Sequence, residues 1–276
     1  MRSRIEARFA QLKREGRAAF VPYVMAGDPD AETALAILKA LPAAGADLIE
    51  LGFPFSDPMA EGPPIQRAAQ RALASGMTLS GVLELARGFR QGDQTTPLIL
   101  MGYMNLVLHR GIGAFARDAA AAGVDGVIVV DCPPEEAGPL ADALDAADVS
   151  LIRLATPTSD EARLKVIARR TSGFVYYVSV AGVTGVKEAD AQAVAPMVER
   201  VRKASGLPVA VGFGIRTPER AAAIARVADA VVVGSALVHE VAAALEMNED
   251  VTGRVLSKAE SLAKAVRSAR IGQRAV

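Results

Sequence analysis

The amino-acid sequence predicts an α/β protein, folded as a (β/α)8 barrel with one additional helix at its N-terminus. Short β-branched runs alternate with Ala-rich helical stretches along all 276 residues, without a long linker. Three of these runs belong to a repeated unit, in which a helical stretch stops at a small residue, an Asp follows and a strand begins. The first strand is followed by MAGDPD rather than a Gly-rich dinucleotide fingerprint. We therefore expect a single barrel domain over residues 1–276.

The elements follow from periodicity. An amphipathic helix is predicted within residues 1–16, where Ile5, Phe9 and Leu12 share one face. The repeated units end in strands within 41–52, 118–131 and 224–235, and five more strands are predicted at 18–25, 98–103, 150–155, 173–180 and 208–214. Helices are expected at about 30–44, 63–75, 79–90, 110–121, 135–146, 160–170, 190–204 and 217–227, with another after the last strand. In such a barrel, chemistry lies at the C-terminal ends of the strands.

Composition excludes several functional classes. The apolar content of 51% suits a large core, and Lys+Arg and Asp+Glu balance at 31 each, so no basic field is present to hold nucleic acid. The single cysteine, Cys132, excludes internal disulfides, and one cysteine with two histidines argues against a His/Cys metal site. No long apolar run follows the first helix. We expect a soluble, cytoplasmic protein with no metal, no nucleic-acid partner and no membrane attachment.

Glu50 is the first candidate for chemistry because of its place in the strand ADLIELG. Side chains alternate along a strand, so Leu48, Glu50 and Gly52 share one face, while Ile49 and Leu51 share the other. The apolar face suits the outer helices, which places Glu50 inside the barrel near the strand's C-terminal end. A carboxylate there is either bonded to a polar group of a neighbouring strand or is a general acid/base whose pKa is raised by burial.

Two more carboxylates, Asp57 and Glu61, lie in the loop after this strand. Glu61 precedes Gly62-Pro63-Pro64, which reads as a turn into a helix with Pro at its first positions. Its charge would favour that helix N-terminus through the dipole, so spacing alone favours a solvated Glu61 over a catalytic one. Asp57 precedes Pro58 and, with Ser56, suits a local side-chain turn.

Glycine-rich loops follow the last three strands. Their sequences are SVAGVTGVKEAD (179–190), GFGIRTPER (212–220) and VVVGSALV (231–238). Backbone N–H groups in such loops and at a helix N-terminus form an anion site, and barrels often place a phosphate after strands seven and eight. With the Ser235 hydroxyl as a further donor, these loops predict a small phosphorylated substrate, although each glycine alone also suits a structural turn.

Four tyrosines are candidates for the walls of the pocket. Tyr176 and Tyr177 alternate faces, so one of them points into the barrel, as either a core or a pocket residue. Tyr23 lies within the first strand and Tyr103 ends the third, so both are placed to wall the same pocket.

The thiol and the imidazoles are given structural roles. Cys132 follows Asp131 at the end of strand four without a histidine motif, which favours a packed thiol over a nucleophile. His109 and His239 are expected at the surface or at helix ends.

Ordered motifs resemble those of the tryptophan synthase alpha chain family over nearly the whole length. The most specific is ELGFPFSDPMAEGPPIQ, residues 50–66. The other matches fall in the family's order: AGDPD, MGYMN, AGVDGVIVVDCPPEE, LATPTSD, YYVSVAGVTG, GFGI and VVGSALV. The fold that the resemblance implies is the same (β/α)8, or TIM, barrel.

The resemblance implies a carbon–carbon lyase of tryptophan biosynthesis, which cleaves indole-3-glycerol phosphate to indole and glyceraldehyde 3-phosphate by a retro-aldol reaction. Glu50 matches the family's catalytic glutamate, which moves protons at the indole C3 and the glycerol hydroxyl, and Glu61 stands at the second catalytic position. The implied substrate-binding residues are Tyr23, Tyr103, Tyr176, Thr184, Gly185, Phe213, Gly214, Ile215, Gly234 and Ser235.

The resemblance also implies a partner. Pro54 and Asp57 match the loop that faces a tryptophan synthase beta chain, and an alpha2-beta2 heterotetramer is expected. Pyridoxal phosphate would reside in the beta chain, where indole joins serine, so this chain is expected to need no cofactor.

Glu61 departs from the family pattern, which has aspartate at this position. The extra methylene moves the carboxylate by roughly 1 Å, a displacement that can change a rate by ~10²-fold. A weakly active or inactive alpha-like barrel, acting mainly as an allosteric partner of the beta chain, is therefore the alternative function. Another phosphate-binding barrel is a third, against which the combination of Glu50 and the PFSDP loop argues.

Overall fold

Eight parallel strands close into a barrel in chain order, with β8 pairing to β1. The computed structural model describes residues 3–179, 191–212 and 214–271. The strands are β1 (Ala19–Met25), β2 (Ile49–Gly52), β3 (Leu98–Gly102), β4 (Gly126–Val129), β5 (Ser150–Ala155), β6 (Val175–Val178), β7 (Val209–Gly212) and β8 (Ala230–Val233). The predicted (β/α)8 barrel is confirmed.

Helices surround the strands. They are α1 (Arg4–Glu15), α2 (Ala31–Ala40), α3 (Pro63–Ala74), α4 (Leu79–Arg90), α5 (Met104–Arg110), α6 (Ile112–Ala121), α7 (Gly138–Asp145), α8 (Glu161–Ala168), α9 (Ala191–Ser205), α10 (Pro218–Ala225), α11 (Ser235–Met247) and α12 (Val251–Ser268). No helix among the described residues is both long enough and apolar enough to span a membrane.

Two helices differ from the sequence prediction. The helix expected at about 110–121 is α6, but an additional helix, α5, precedes it, and Gly111, with a φ of 87°, separates the two. Asp131 supports the start of α5, because its Oδ1 accepts a hydrogen bond from the Met104 N–H at 2.8 Å. After the last strand, Asn248 ends α11 in the left-handed region at a φ of 54°, so two helices stand where one was expected.

The apolar core divides into two clusters. One lies between the barrel and its outer helices and includes Ile49 and Leu51. The other fills the barrel interior and includes Leu48, so the strand alternates as its sequence predicts. Strand residues that point into the barrel therefore pack against one another, separately from those that face the outer helices.

Helix α1 closes the N-terminal end of the barrel. It begins after Ser3, whose hydroxyl accepts a hydrogen bond from the Glu6 N–H at 3.2 Å. Its apolar face, Ile5, Phe9 and Leu12, belongs to the interior cluster, and the Phe9 ring lies 5.7 Å from that of Phe174. The opposite end of the barrel is left for chemistry.

An acidic residue ahead of β2 fixes the pairing of β1 with β2. The Asp47 N–H donates to the Phe20 carbonyl at 2.9 Å, and its Oδ2 accepts from the Phe20 N–H at 3.0 Å. Arg17 donates to the same carboxylate at 2.8 and 2.9 Å. One residue thus holds both polar backbone groups of its neighbour, an arrangement that we call a clamp.

The clamp recurs at every second strand pair. It joins β3 to β4, β5 to β6 and β7 to β8. In each pair, the clamp residue's N–H donates to the carbonyl of its neighbour, and its side-chain oxygen accepts from the neighbour's N–H. The residues, with these two distances in that order, are Asp125 and Leu98 (2.9 and 2.8 Å), Ser172 and Leu151 (3.0 and 3.2 Å), and Asp229 and Val209 (3.0 and 2.9 Å). Arg90 pairs with Asp125 at 2.5 Å and Arg202 with Asp229 at 3.0 Å. The Asp of the repeated sequence unit is this clamp.

Candidate active site

Glu50 lies inside the barrel near the C-terminal end of β2. Its register partners are Tyr23 on β1 and Ile99 on β3. It is 2% exposed, and its Oε1 has no hydrogen-bond partner within the described part of the chain. One oxygen of the carboxyl group is therefore buried without the polar contact that a purely structural role requires.

Burial changes the protonation of Glu50. Loss of solvent raises its pKa from 4.5 to about 8, and the negative charge of Glu61 adds to the shift. At neutral pH most molecules therefore carry a protonated Glu50. Such a group can donate a proton and then, once ionised, accept one.

Glu61 reaches the same pocket from the loop between β2 and α3. It is 5% exposed, so the solvated charge that spacing alone favours is wrong. The loop folds inward here: the Glu61 N–H donates to the Pro58 carbonyl at 3.1 Å, and its own carbonyl accepts from Gln66 Nε2 at 2.9 Å. The residue also lies two positions before the N-terminus of α3, where the helix dipole favours a negative charge.

The N-terminus of α11 contributes an anion-binding wall. Gly234 is its N-cap and makes no side-chain cap, and Ser235 is its first residue. Gly214 and Ile215, between β7 and α10, line the same pocket as these two residues and both glutamates. Gly214 has a φ of 71°, a conformation that favours glycine. Exposed N–H groups and a hydroxyl at a helix N-terminus suit a phosphate.

Tyr23 and Tyr176 both line the pocket, whereas Tyr177 packs in the outer cluster and does not line it. Glycines at strand ends make room for the two phenols. A Cβ on Gly52 would lie 2.2 Å from the Tyr23 hydroxyl, and one on Gly212 would lie 2.0 Å from the Tyr176 hydroxyl. Larger residues cannot stand at either glycine without displacing a ring.

The charge of the site acts on both phenols. Burial raises the pKa of Tyr23, as do the charges of Glu61 and Glu50. Burial raises the pKa of Tyr176 in the same way, and the charges of Glu50 and Glu61 add to it. Both hydroxyls therefore remain protonated and lie within the field of the two glutamates.

Tyr103 has a different position from the other two tyrosines. It is not among the residues that line the pocket. Its hydroxyl accepts a hydrogen bond from the Ala60 N–H at 3.1 Å, and its ring lies 5.2 Å from that of Phe55. It holds the loop that carries Glu61.

The two residues predicted to face a partner, Pro54 and Asp57, differ in exposure. Asp57 is exposed and accepts a hydrogen bond from the Ser56 hydroxyl at 2.5 Å, a contact between two side chains rather than the side-chain-to-backbone turn expected from the sequence. Pro54 is buried, so it presents no surface in the isolated chain. Thr184, Gly185 and Phe213 lie outside the described residues.

Three pocket residues were missed at the level of sequence: Ile65, Met101 and Val232. Met101 and Val232 follow interior residues at a spacing of two, so alternation along β3 and β8 could have found them. Ile65 is on α3, and nothing in its local pattern points to the pocket.

The remaining polar candidates lie away from this pocket. His109 and His239 are exposed on α5 and α11, as expected. Cys132 is partly buried and lines a separate cavity. Among the described residues, no group of three or more His, Cys, Asp or Glu side chains is arranged to hold a metal ion.

A barrel with two buried carboxylates and a helix N-terminus facing one pocket belongs to the class of (β/α)8 enzymes that perform acid–base chemistry on small anionic substrates. Comparison with known proteins narrows this class. The sequence profile of the tryptophan synthase alpha chain family matches residues 9–267. The chain belongs to this family.

Individual relatives agree with the profile. The tryptophan synthase alpha chain of Phenylobacterium zucineum is 82% identical over 275 residues, covering 100% of this chain and 99% of the relative. That of Caulobacter vibrioides is 72% identical over 271 residues, covering 98% of each. The crystal structure of the Legionella pneumophila alpha subunit matches with a TM-score of 0.90 at 39% identity, over 96% of this chain and 99% of that one. A Mycobacterium tuberculosis tryptophan synthase structure matches with a TM-score of 0.88 at 37% identity, over 97% and 99%.

Membership of the family gives the reaction. The chain is a carbon–carbon lyase of tryptophan biosynthesis that cleaves indole-3-glycerol phosphate. The alternative of an alpha-like barrel that acts mainly as a partner is not favoured.

Proposed function

We propose that Glu50 and Glu61 are the catalytic pair of this cleavage. The observation that carries the proposal is that both carboxyl groups are buried and line one pocket with Gly234 and Ser235. A substrate that is anionic at one end and reactive at the other can span these two walls.

The protons of the retro-aldol step balance on Glu50. Protonated Glu50 donates its proton to the indole C3, which turns the ring into an indolenine-like electron sink. The Glu50 carboxylate then takes the proton of the glycerol hydroxyl next to the breaking bond, whose electrons return to the ring while an aldehyde forms. A pKa of about 8 suits a residue that has to be an acid first and a base second.

Glu61 is assigned to the ring nitrogen. The indolenine form carries positive charge at that nitrogen, and a carboxylate beside the N–H stabilises it. The inward fold of the loop, held by Tyr103 and Gln66, supports a positioned carboxylate at this residue although it is one methylene longer than aspartate.

Substrate binding is assigned to the other residues that line the pocket. The phosphate would lie at the N-terminus of α11 near Gly214, Gly234 and Ser235, and Tyr23 and Tyr176 would contact the organic part. Thr184, Gly185, Phe213 and Ile215 complete the proposed set, with Tyr103 acting through the loop.

Indole release from indole-3-glycerol phosphate tests these roles. Glu50→Gln is expected to lower kcat by about 10³-fold, since general acid–base groups contribute on the order of 10²- to 10⁴-fold. Glu61→Gln is expected to lower kcat by about 10²-fold, because it removes the carboxylate charge beside the ring nitrogen, and losing one such stabilising group costs about 10²- to 10³-fold. Glu32→Gln, an exposed carboxylate on α2, is the matched control. Undiminished release by Glu50→Gln would refute the assignment.

A beta chain is the proposed partner, in an alpha2-beta2 complex whose beta chain holds pyridoxal phosphate while this chain binds no cofactor. Family membership supports a beta-chain partner, and exposed Asp57 and Met59, the latter 77% exposed, supply a free surface beside the active-site loop. Asp57→Lys should weaken complex formation in a sedimentation assay with the cognate beta chain, and Asp142→Lys, on α7, is the control. Equal weakening by both variants, or none, would argue against this surface.

A further inference from the structure

A second cavity, of about 410 Å³, lies at the C-terminal ends of β4 and β5. Its walls come from both strands, from the loop after β4 and from Arg163 on α8, and none of its lining residues lines the active-site pocket. Apolar groups make up much of the wall: Val129, Pro133, Pro134, Ala137, Leu151 and Leu154. A volume of this order suits a small organic molecule.

Arg153 is the unusual residue of this cavity. It follows Ile152, which fills the barrel interior, so its own side chain leaves β5 on the outer face. Arg153 is 7% exposed, and its Nε and Nη1 are buried without a hydrogen-bond partner among the described residues. Guanidinium stays charged in proteins, and a buried charge without a counterion is costly.

The other cations near Arg153 already have partners. Arg163 pairs with Glu135, and Arg170 pairs with Asp142 at 2.7 Å and donates to the Gly138 carbonyl at 3.1 Å. The cavity therefore contains the Arg153 guanidinium, two of whose buried nitrogens have no hydrogen-bond partner in the described part of the chain.

The acidic groups around the cavity limit the charge of a ligand. Asp131 lines it and is exposed, and Glu135, also exposed, acts on the Arg153 charge. Cys132 is the remaining titratable group that faces the guanidinium. The two carboxylates would repel the second negative charge of a phosphate dianion, so a singly charged anion fits better.

We propose that this cavity is a binding site for a small organic carboxylate, whose oxygens accept from Arg153 while its apolar part lies against the prolines and aliphatic side chains. The planar guanidinium fork matches a carboxylate with two parallel hydrogen bonds. The site is distinct from the lyase pocket and does not depend on the roles given to Glu50 and Glu61.

Cys132 gives a direct test on the unaltered protein. It lines this cavity and is the single cysteine of the chain, so alkylation by iodoacetamide reports the occupancy of this site alone. The probes are benzoate and benzamide, which share a ring and differ in charge. At ten times its Kd, benzoate should slow labelling by about tenfold, because only about one site in eleven remains free, while benzamide at the same concentration should not.

Two variants separate the role of the guanidinium from general effects. Arg153→Met keeps an unbranched side chain without the charge and should abolish protection by benzoate. Arg169→Met removes an exposed charge at the C-terminal end of α8 and should leave protection unchanged. Equal protection by benzoate and benzamide, no protection by benzoate, or full protection in Arg153→Met would each overturn the proposal. The comparison of the two probes on wild-type protein decides the matter even if Arg153→Met fails to fold.

Discussion

The raised pKa of Glu50, which suits acid–base catalysis, also makes the stability of the fold depend on pH. Its folded-state pKa of about 8 lies above its ordinary value of 4.5, so between these pH values the folded chain binds a proton that the unfolded chain does not. The free energy of unfolding therefore falls as the pH rises through this window and levels off above it. An isosteric amide carries no such dependence.

The first prediction concerns the pH dependence of Glu50→Gln. Relative to wild type, this variant should gain about 4 kcal/mol of unfolding free energy on going from pH 5 to pH 9, since about three pKa units lie between pH 5 and the folded-state pKa of about 8 and each corresponds to about 1.4 kcal/mol. Urea unfolding at the two pH values measures it, with Glu32→Gln as control. Parallel pH profiles for Glu50→Gln and wild type would contradict a neutral, buried Glu50.

The second prediction concerns the coupling between the two glutamates. The charge of Glu61 contributes to the raised pKa of Glu50, so Glu61→Gln should move the Glu50 pKa towards its ordinary value. Carbon-13 NMR titration of the Glu50 carboxyl group measures the shift. Asp57→Asn, which removes an exposed carboxylate of the same loop, should leave the titration unchanged. An unchanged Glu50 pKa in Glu61→Gln would show that the two carboxyl groups are not electrostatically coupled.

The sequence predicts the environment of some of these residues and not of others. Glu50 follows from alternation along a single strand, which is a local property. Burial of Glu61 depends on a loop folded against Tyr103 and Gln66, contacts that no periodic pattern encodes. The unpartnered state of Arg153 likewise depends on which neighbouring charges are already paired.

At the scale of elements, helix α1 covers the N-terminal end of the barrel interior. Three apolar side chains of α1 belong to the barrel interior, at the end remote from Glu50. Because no residue of α1 lines the active-site pocket, its contribution should be to stability alone.

The third prediction tests that separation with Phe9→Ala. Truncating this residue, 8% exposed and in contact with Phe174, should lower the free energy of unfolding by about 3 kcal/mol or more. Gln11→Ala, on the exposed face of the same helix, should change it by less than about 0.5 kcal/mol. Urea unfolding gives both values. A large loss of kcat in folded Phe9→Ala would show that α1 also shapes the active site.

Element boundaries were predictable where the sequence carries a clear stop or cap. Strand β5 has the predicted bounds, 150–155, and α4 the predicted 79–90, which begins after the N-cap Thr78. Helix α5 was missed because its seven residues are too few to show a helical period. Its start depends on Asp131, 27 residues further along the chain.

At the scale of the whole molecule, the four clamps divide the barrel into strand pairs. Between pairs, hydrogen bonds at the same level come from backbone groups, as in the Ala19 N–H to the Asp229 carbonyl at 2.9 Å and the Ile49 N–H to the Pro97 carbonyl at 2.9 Å. The sequence displayed three of the clamp residues as a repeated Asp, without revealing what they bind. Ser172 was not recognised because it lies outside the repeated unit.

The fourth prediction concerns Asp125, the clamp residue whose ion pair is buried on both sides. In Asp125→Asn, the amide oxygen still accepts from the Leu98 N–H, but Arg90 loses its counterion in a buried setting. The expected loss is about 3 kcal/mol or more of unfolding free energy, measured by urea unfolding. Ser172→Ala, which removes one uncharged hydrogen bond, should lose only about 1 kcal/mol. Equal losses would show that the ion pair adds nothing.

A barrel clamped in pairs has places where its chain can be cut. A break in the exposed turn between Ala147 and Asp148 leaves β1–β4 on one fragment and β5–β8 on the other, with two complete clamps each. Co-expressed fragments should reassemble into an active lyase. A break at Gly111 divides the β3–β4 clamp, and those fragments should reassemble less well. The reverse order of recovered activity would mean that the eight strands hold together as an undivided ring.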